Sequence, residues 1–204
     1  RLLEYKDINV NIQNIHGHTA LMFAIFRGCL NVVNRLLECK EIDINARDKW
    51  GNTAMMSASS FGHLEIVNRL LECKNIDINV QNNSGFTALL ATSIGGHLNV
   101  VNRLLECKNI DINIQDSDGY TALIDASING HLKVVNRLLE CKNININIQD
   151  KLGRTALMIA LSYGHSNIVD RLKKFQKNQI LEGFDKTKQF FPCDLTNLIT
   201  EFSI

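Results

Sequence analysis

Cys39, Cys73, Cys107 and Cys141 follow one another at intervals of 34 residues, as do His63, His97, His131 and His165. Thiols and imidazoles carry nucleophilic, redox and metal chemistry, so these two columns come first as candidate reactive groups. A zinc ion needs its ligands about 2 Å away and converging on one point. A spacing that never shortens to C-x-x-C, and never pairs two histidines, does not provide that. Recurring acids such as Glu72 and Asp77 read as solvated or loop-pairing groups. No nucleophile stands beside a base, and no glycine-rich loop is shaped to cradle a phosphate. The expectation is a chain without catalytic residues, metal site or cofactor, in which the histidines hydrogen-bond at turns.

The constant interval is itself the signal, because it marks a structural repeat. Glycines lead each unit at Gly17, Gly51, Gly85, Gly119 and Gly153, and a second set sits at Gly28, Gly62, Gly96, Gly130 and Gly164. Ten of twelve glycines thus fall at two phases of the period, which reads as two turns per unit. Between the turns the pattern is helical. Thr53 can cap a helix whose inward face is Ala54, Met55 and Ala58. Ile66, Val67, Leu70 and Leu71 then form the apolar stripe of a second helix. So narrow a stripe makes no core alone, so units must stack. The stretch Asp77-Ile78-Asn79-Val80-Gln81-Asn82-Asn83-Ser84 reads as a projecting loop. Adjacent stacked helices lie about 8–10 Å apart, beyond the roughly 7 Å that a disulfide spans. The cysteines are therefore expected as an unbridged, buried column, which fits a reducing compartment.

These features resemble the ankyrin repeat, a unit of about 33 residues with a T-P-L-H-x-A signature. The signature reads here as Thr87-Ala88-Leu89-Leu90-Ala91-Thr92 and Thr155-Ala156-Leu157-Met158-Ile159-Ala160, with the family Pro and His replaced. The Gly-His turn, the Val-Val-x-x-Leu-Leu helix and the Ile-Asp-Ile-Asn loop are similar to the family too. The tetratricopeptide repeat has a comparable period, but it leaves no room for a long Asn- and Asp-rich loop. The resemblance implies an all-α repeat solenoid of stacked helix-turn-helix units with projecting β-hairpin loops. The expected units are a partial repeat at 1–16, repeats at 17–50, 51–84, 85–118 and 119–152, and a terminal repeat at 153–178. A polar connector and an amphipathic helix are expected over 179–204.

Arg1 to His16 align with Arg35 to Trp50, and Leu2 and Leu3 keep their apolar character, so further repeats are expected upstream. At the other end Leu172-Lys173-Lys174-Phe175 breaks the pattern. Leu195, Leu198, Ile199 and Phe202 then lie on one face of a helix that caps the stack. Pro192-Cys193-Asp194-Leu195 resembles the opening of an F-box, which implies recruitment of ubiquitin ligase subunits through 190–204. Asn45, Asn79 and Asn113 sit in a pattern that resembles asparaginyl hydroxylase substrates, L-x5-D-Φ-N with Φ apolar, and Asn145 replaces the Asp in the next unit. A formal net charge of +1 disfavours nucleic acid or an anionic membrane as partner, and no apolar run is long enough to enter a bilayer. The location expected is intracellular, cytoplasmic or nuclear, in a host cell if the source is a virus or intracellular pathogen.

Differences between units separate scaffold from surface. The second helix is nearly invariant, so it serves stacking. Variation gathers at the loop tips and at the end of the first helix, the positions that line the partner-holding face in ankyrin proteins. They are Ile15, His16, His18, Phe26 and Arg27; Lys49, Trp50, Asn52 and Phe61; and Asn83, Phe86 and Ile94. The fourth and fifth units add Asp118, Tyr120, Ile128 and Asn129, then Lys151, Leu152, Arg154 and Tyr163. A row of aromatic, apolar and arginine side chains along one face is what a protein-binding surface uses. The function expected is a non-catalytic interaction scaffold. The alternatives are a ubiquitin ligase adaptor, or the targeting arm of an enzyme whose catalytic domain lies elsewhere.

Overall fold

A computed structural model describes residues 8–188, which form ten helices and no strand. The first seven residues of the partial repeat, including Leu2 and Leu3, and the F-box-like segment 190–204 lie outside the described residues. The helices come in pairs: α1 (Ala20–Phe26) with α2 (Leu30–Leu37), α3 (Ala54–Ser60) with α4 (Leu64–Leu71), and α5 (Ala88–Gly95) with α6 (Leu98–Leu105). They continue as α7 (Ala122–Ile128) with α8 (Leu132–Leu139), and α9 (Ala156–Ser162) with α10 (Ser166–Lys188). Each first helix packs on the next first helix and each second helix on the next second helix, giving two layers.

The first helices start where they do because a threonine caps each one. Thr19, Thr53, Thr87, Thr121 and Thr155 hold extended backbone, and each hydroxyl accepts from the amide three residues on. A helix of seven or eight residues is too short to persist alone, so burial must hold it. That burial comes from the neighbouring units: Leu70, Leu104 and Leu138 are fully buried, as are Val67, Val101 and Val135. Truncating one such leucine to alanine costs about 2–5 kcal/mol.

Two expectations need correction. The projecting loops are turns and not strand-paired hairpins: within a tip the amide of Asp48 bonds the Asn52 carbonyl, and one backbone bond per pair joins neighbouring tips, as from Lys49 to the His16 carbonyl. An Asx side chain organises each tip; Asp116 Oδ1 accepts from the amides of Asp118 and Tyr120, so the backbone is satisfied without a ladder. The polar stretch expected as a connector after residue 178 instead continues α10 to Lys188. Glutamine, lysine, leucine and glutamate over 176–182 are good helix formers, and no proline interrupts them.

Candidate functional site

The repeated polar residues prove to be ties between units. His97 Nε2 lies 2.9 Å from the Ser60 carbonyl, His131 Nε2 2.8 Å from that of Ile94, and His165 Nε2 2.9 Å from that of Ile128. Three of the four histidines therefore bond, but to the preceding unit and not within their own turn, while His63 Nε2 finds no partner. Each ring also rests on a glycine there; a Cβ at Gly96 would come within 2.6 Å of the His131 ring. On the other layer, the guanidinium Nε of Arg103, Arg137 and Arg171 donates to Asn68, Asn102 and Asn136 of the unit before.

The loop asparagines form a third tie. Asn45 Nδ2 donates to the Asn75 carbonyl (2.7 Å) and its Oδ1 accepts from the Asp77 amide (3.2 Å). Asn79 and Asn113 repeat both bonds one and two units further on. The amides singled out for hydroxylation thus clamp adjoining loops in the folded chain.

Cys39, Cys73, Cys107 and Cys141 are unbridged, yet half-buried and not fully so. Their position at the end of the second helix, near its last turn, leaves one side open. The Sγ of Cys73 points at the Arg69 carbonyl, 3.7 Å away. Burial pushes the thiols of Cys73, Cys107 and Cys141 up, against the pull of the neighbouring arginines. That keeps them as thiols and poor nucleophiles. Among the described residues no group of three His, Cys, Asp or Glu is placed to hold a metal, and no helix is long and apolar enough to cross a membrane.

Where the units differ, the side chains collect along the face made by the first helices and the loop tips. Phe26 is 58% exposed, Trp50 53%, Phe61 46% and Tyr163 56%. The rings form two groups over the first two units: Trp50 stacks on His16 (centroids 6.0 Å) and tilts against His18 (5.9 Å), and Phe26 meets Phe61 edge-on at 5.4 Å. His18 Nε2 also lies 3.6 Å from Asp48 Oδ2. Ile15, Arg27, Lys49, Asn83, Ile94, Asp118, Asn129, Lys151 and Leu152 are exposed on their loop tips and helix ends.

Other members of the predicted set are tied up. Phe86, Tyr120 and Ile128 pack against the core, half-buried. Arg154 pairs with Asp150 at 2.7 Å and reaches the Tyr120 hydroxyl at 3.3 Å. Asn52 bonds Asp48 and accepts from Asn82.

Two depressions indent this face. One, of about 150 Å³, is lined by His18, Met22, Phe23, Phe26 and Ser57. The other, of about 310 Å³, lies between the second and third units, with Met56, Ser57, Phe61, Phe86, Ala91 and Ile94 in its wall. Their floor uses a position that sequence reasoning missed. It is Phe23, Ser57 and Ala91 there, with Asp125 and Ile159 as its buried equivalents in the next two units, and this irregularity, visible on aligning the units, was the signal available.

Asp125 is the outlier of that row. It is 4% exposed and its Oδ2 has no hydrogen-bond partner. Burial pushes its carboxyl up to about 8, and the Asp116 carboxylate adds to the rise.

The geometry comprises paired short helices, cross-unit ties and a groove of varied residues on an invariant scaffold. Comparison with protein families agrees. A family model described as ankyrin repeats in three copies matches residues 1–82 and again 75–150. No curated protein matches the chain. The matched span covers most of the sequence, and the chain belongs to the ankyrin-repeat family, whose members are generally protein–protein interaction modules.

Proposed function

We propose that this chain is a non-catalytic scaffold that holds a partner protein along the groove of first helices and loop tips. The observation carrying this is the set of Phe26, Trp50 and Phe61, each about half exposed on one face, at positions where the units diverge. Exposed rings held by a rigid frame give large contact area with little ordering on binding. The second helices, nearly identical from unit to unit, supply that frame. The unbridged thiols support a reducing, intracellular setting.

Affinity capture with quantitative mass spectrometry tests the reading. A Phe26→Ala, Trp50→Ala, Phe61→Ala variant, shown by circular dichroism to be folded, is expected to lose a defined set of partners. An unchanged set removes the groove from consideration. Deleting 190–204 in parallel separates the adaptor alternative, since ligase subunits lost on that deletion alone would assign recruitment to the tail.

A further inference from the structure

We infer that the groove takes an extended partner segment bearing a lysine or arginine, whose cationic head pairs with Asp125 while a bulky apolar side chain of the same segment fills the depression between the second and third units. The inference rests on the reading above of the groove as a protein-binding surface, and it specifies the chemistry of the bound segment.

Three observations carry it. Asp125 occupies the repeat position that in the second and third units, as Ser57 and Ala91, lines the groove floor. Its carboxyl is buried with Oδ2 unpartnered, although a buried polar group in a folded chain is nearly always satisfied. Among the described residues nothing is placed to satisfy it. The first helices on either side, α5 and α9, contain no ionisable residue. On α8, which also packs against α7, Lys133 is exposed and Arg137 is bound to Asn102 and Glu140. In the nearby loops Asp116 accepts from two backbone amides, and Arg154 is held by Asp150.

A buried carboxyl left unpartnered, at a repeat position that lines the groove two units earlier, is a receptor for a cation that arrives from outside. A lysine or arginine suits it because the aliphatic stem can lie along apolar wall while the head reaches down. Asp118, exposed at the loop tip that leads into the same helix, adds attraction at the rim. In the unbound chain Asp125 holds its proton near neutrality. Pairing with the cation releases that proton to solvent and forms a charge-assisted bond. The separation follows from the repeat. The depression and Asp125 are about one and a half units apart, or about 12–15 Å at ordinary helix spacing. An extended segment covers that in about four residues.

Panning a phage-displayed library of random peptides on the full chain tests the inference. The expected selection is a Lys or Arg about four positions from a bulky apolar residue. The basic preference should vanish on Asp125→Asn and on Asp125→Ser, which copies the residue of the second unit. A selected peptide should bind either variant roughly thirtyfold more weakly, or worse. Its affinity for the unaltered chain should rise as pH climbs through 8, and should not do so for Asp125→Asn. Peptides lost on Phe61→Ala but indifferent to both Asp125 variants would overturn the cation pairing while leaving the groove reading intact. If no peptide is enriched over a bare support, the groove reading fails and this inference with it.

Discussion

The interface between the first and second units differs from those that follow, although the second helices that meet there are almost the same in sequence. His97, His131 and His165 each reach a carbonyl of the preceding unit, but the Nε2 of His63 is buried without a partner. Asn68, Asn102 and Asn136 each accept from an arginine of the next unit, but Asn34 Oδ1 is buried and unpaired. Stacking of Phe61 on His63 is not the reason, because Tyr163 stacks on His165 without breaking its bond. What is peculiar to this interface is bulk. α1 carries Phe23 and Phe26, and Phe26 meets Phe61 edge-on across the gap. α3 and α5 carry no aromatic residue and are rich in serine, alanine, threonine and glycine, and small side chains let helices close up. The rings that enrich the groove thus stand where the scaffold gives up two of its ties.

The largest effect expected concerns the glycines beneath the histidines. Gly130 and Gly164 share a left-handed backbone, both at φ 72°, where alanine is strained by about 1 kcal/mol. They differ in what a side chain would meet. At Gly130 a Cβ comes within 2.8 Å of the His165 ring, whereas at Gly164 nothing lies within 4 Å. Urea denaturation should therefore give about 2–3 kcal/mol of destabilisation for Gly130→Ala and about 1 kcal/mol for Gly164→Ala. Equal losses would mean that the ring yields freely and the tie is soft.

The histidines themselves sharpen the comparison. Replacing His131 by alanine removes a bond to the Ile94 carbonyl and should destabilise by about 1–2 kcal/mol. At His63 no bond is lost, so alanine should fall within about 0.5 kcal/mol of the parent. If both substitutions cost the same, the ring's packing on its glycine decides stability and the bond does not.

Asp125 extends the contrast to a single side chain. It has no tie to lose, so Asp125→Asn should stabilise the chain by about 1 kcal/mol at neutral pH. The pH dependence has a definite sign. Below the ordinary carboxyl value of 3.8 both folded and unfolded chains hold the proton, and the penalty is absent. As pH rises towards about 8 the unfolded chain releases the proton while the folded one keeps it, so stability falls across that window and levels off above it. Melting temperatures over this range should slope downward for the parent relative to Asp125→Asn. Parallel curves would show that the carboxyl is solvated in the native state.

Much of this was legible in the sequence because repetition multiplies every signal. Thr53 as a cap and Leu70 as core each recur in every complete unit, so each was read several times over. The partners of the repeated polar residues were not legible. His97 bonds a residue 37 positions back, and Asn45 one 30 positions ahead; such pairings depend on the stacking geometry, which no local pattern encodes. The groove was read only at its rim. The position after the loop glycine marks Phe86 and Tyr120 as groove contacts; both pack half-buried against the core, and Phe86 still contributes to the wall of the second depression. Asp125 was passed over because a lone acid in a short helix ordinarily faces water.

The smallest change expected in stability is also the most direct test of why the first interface is loose. Phe26 stands where the second unit has Ser60, whose carbonyl receives His97. Phe26→Ser should remove the edge contact with Phe61, let α1 and α3 approach, and bring the Phe26-position carbonyl within reach of His63. The loss of ring contact and the gain of one bond nearly offset, so the net change should lie within about 0.5 kcal/mol. The change in structure should be plain. The imidazole 15N resonances of His63 should move to resemble those of His97, and amide exchange in α1 should slow. Unchanged His63 resonances would show that bulk in the groove is not what keeps the two units apart. The gap would then belong to the backbone of the first unit, and ring removal would weaken partner binding without tightening the stack.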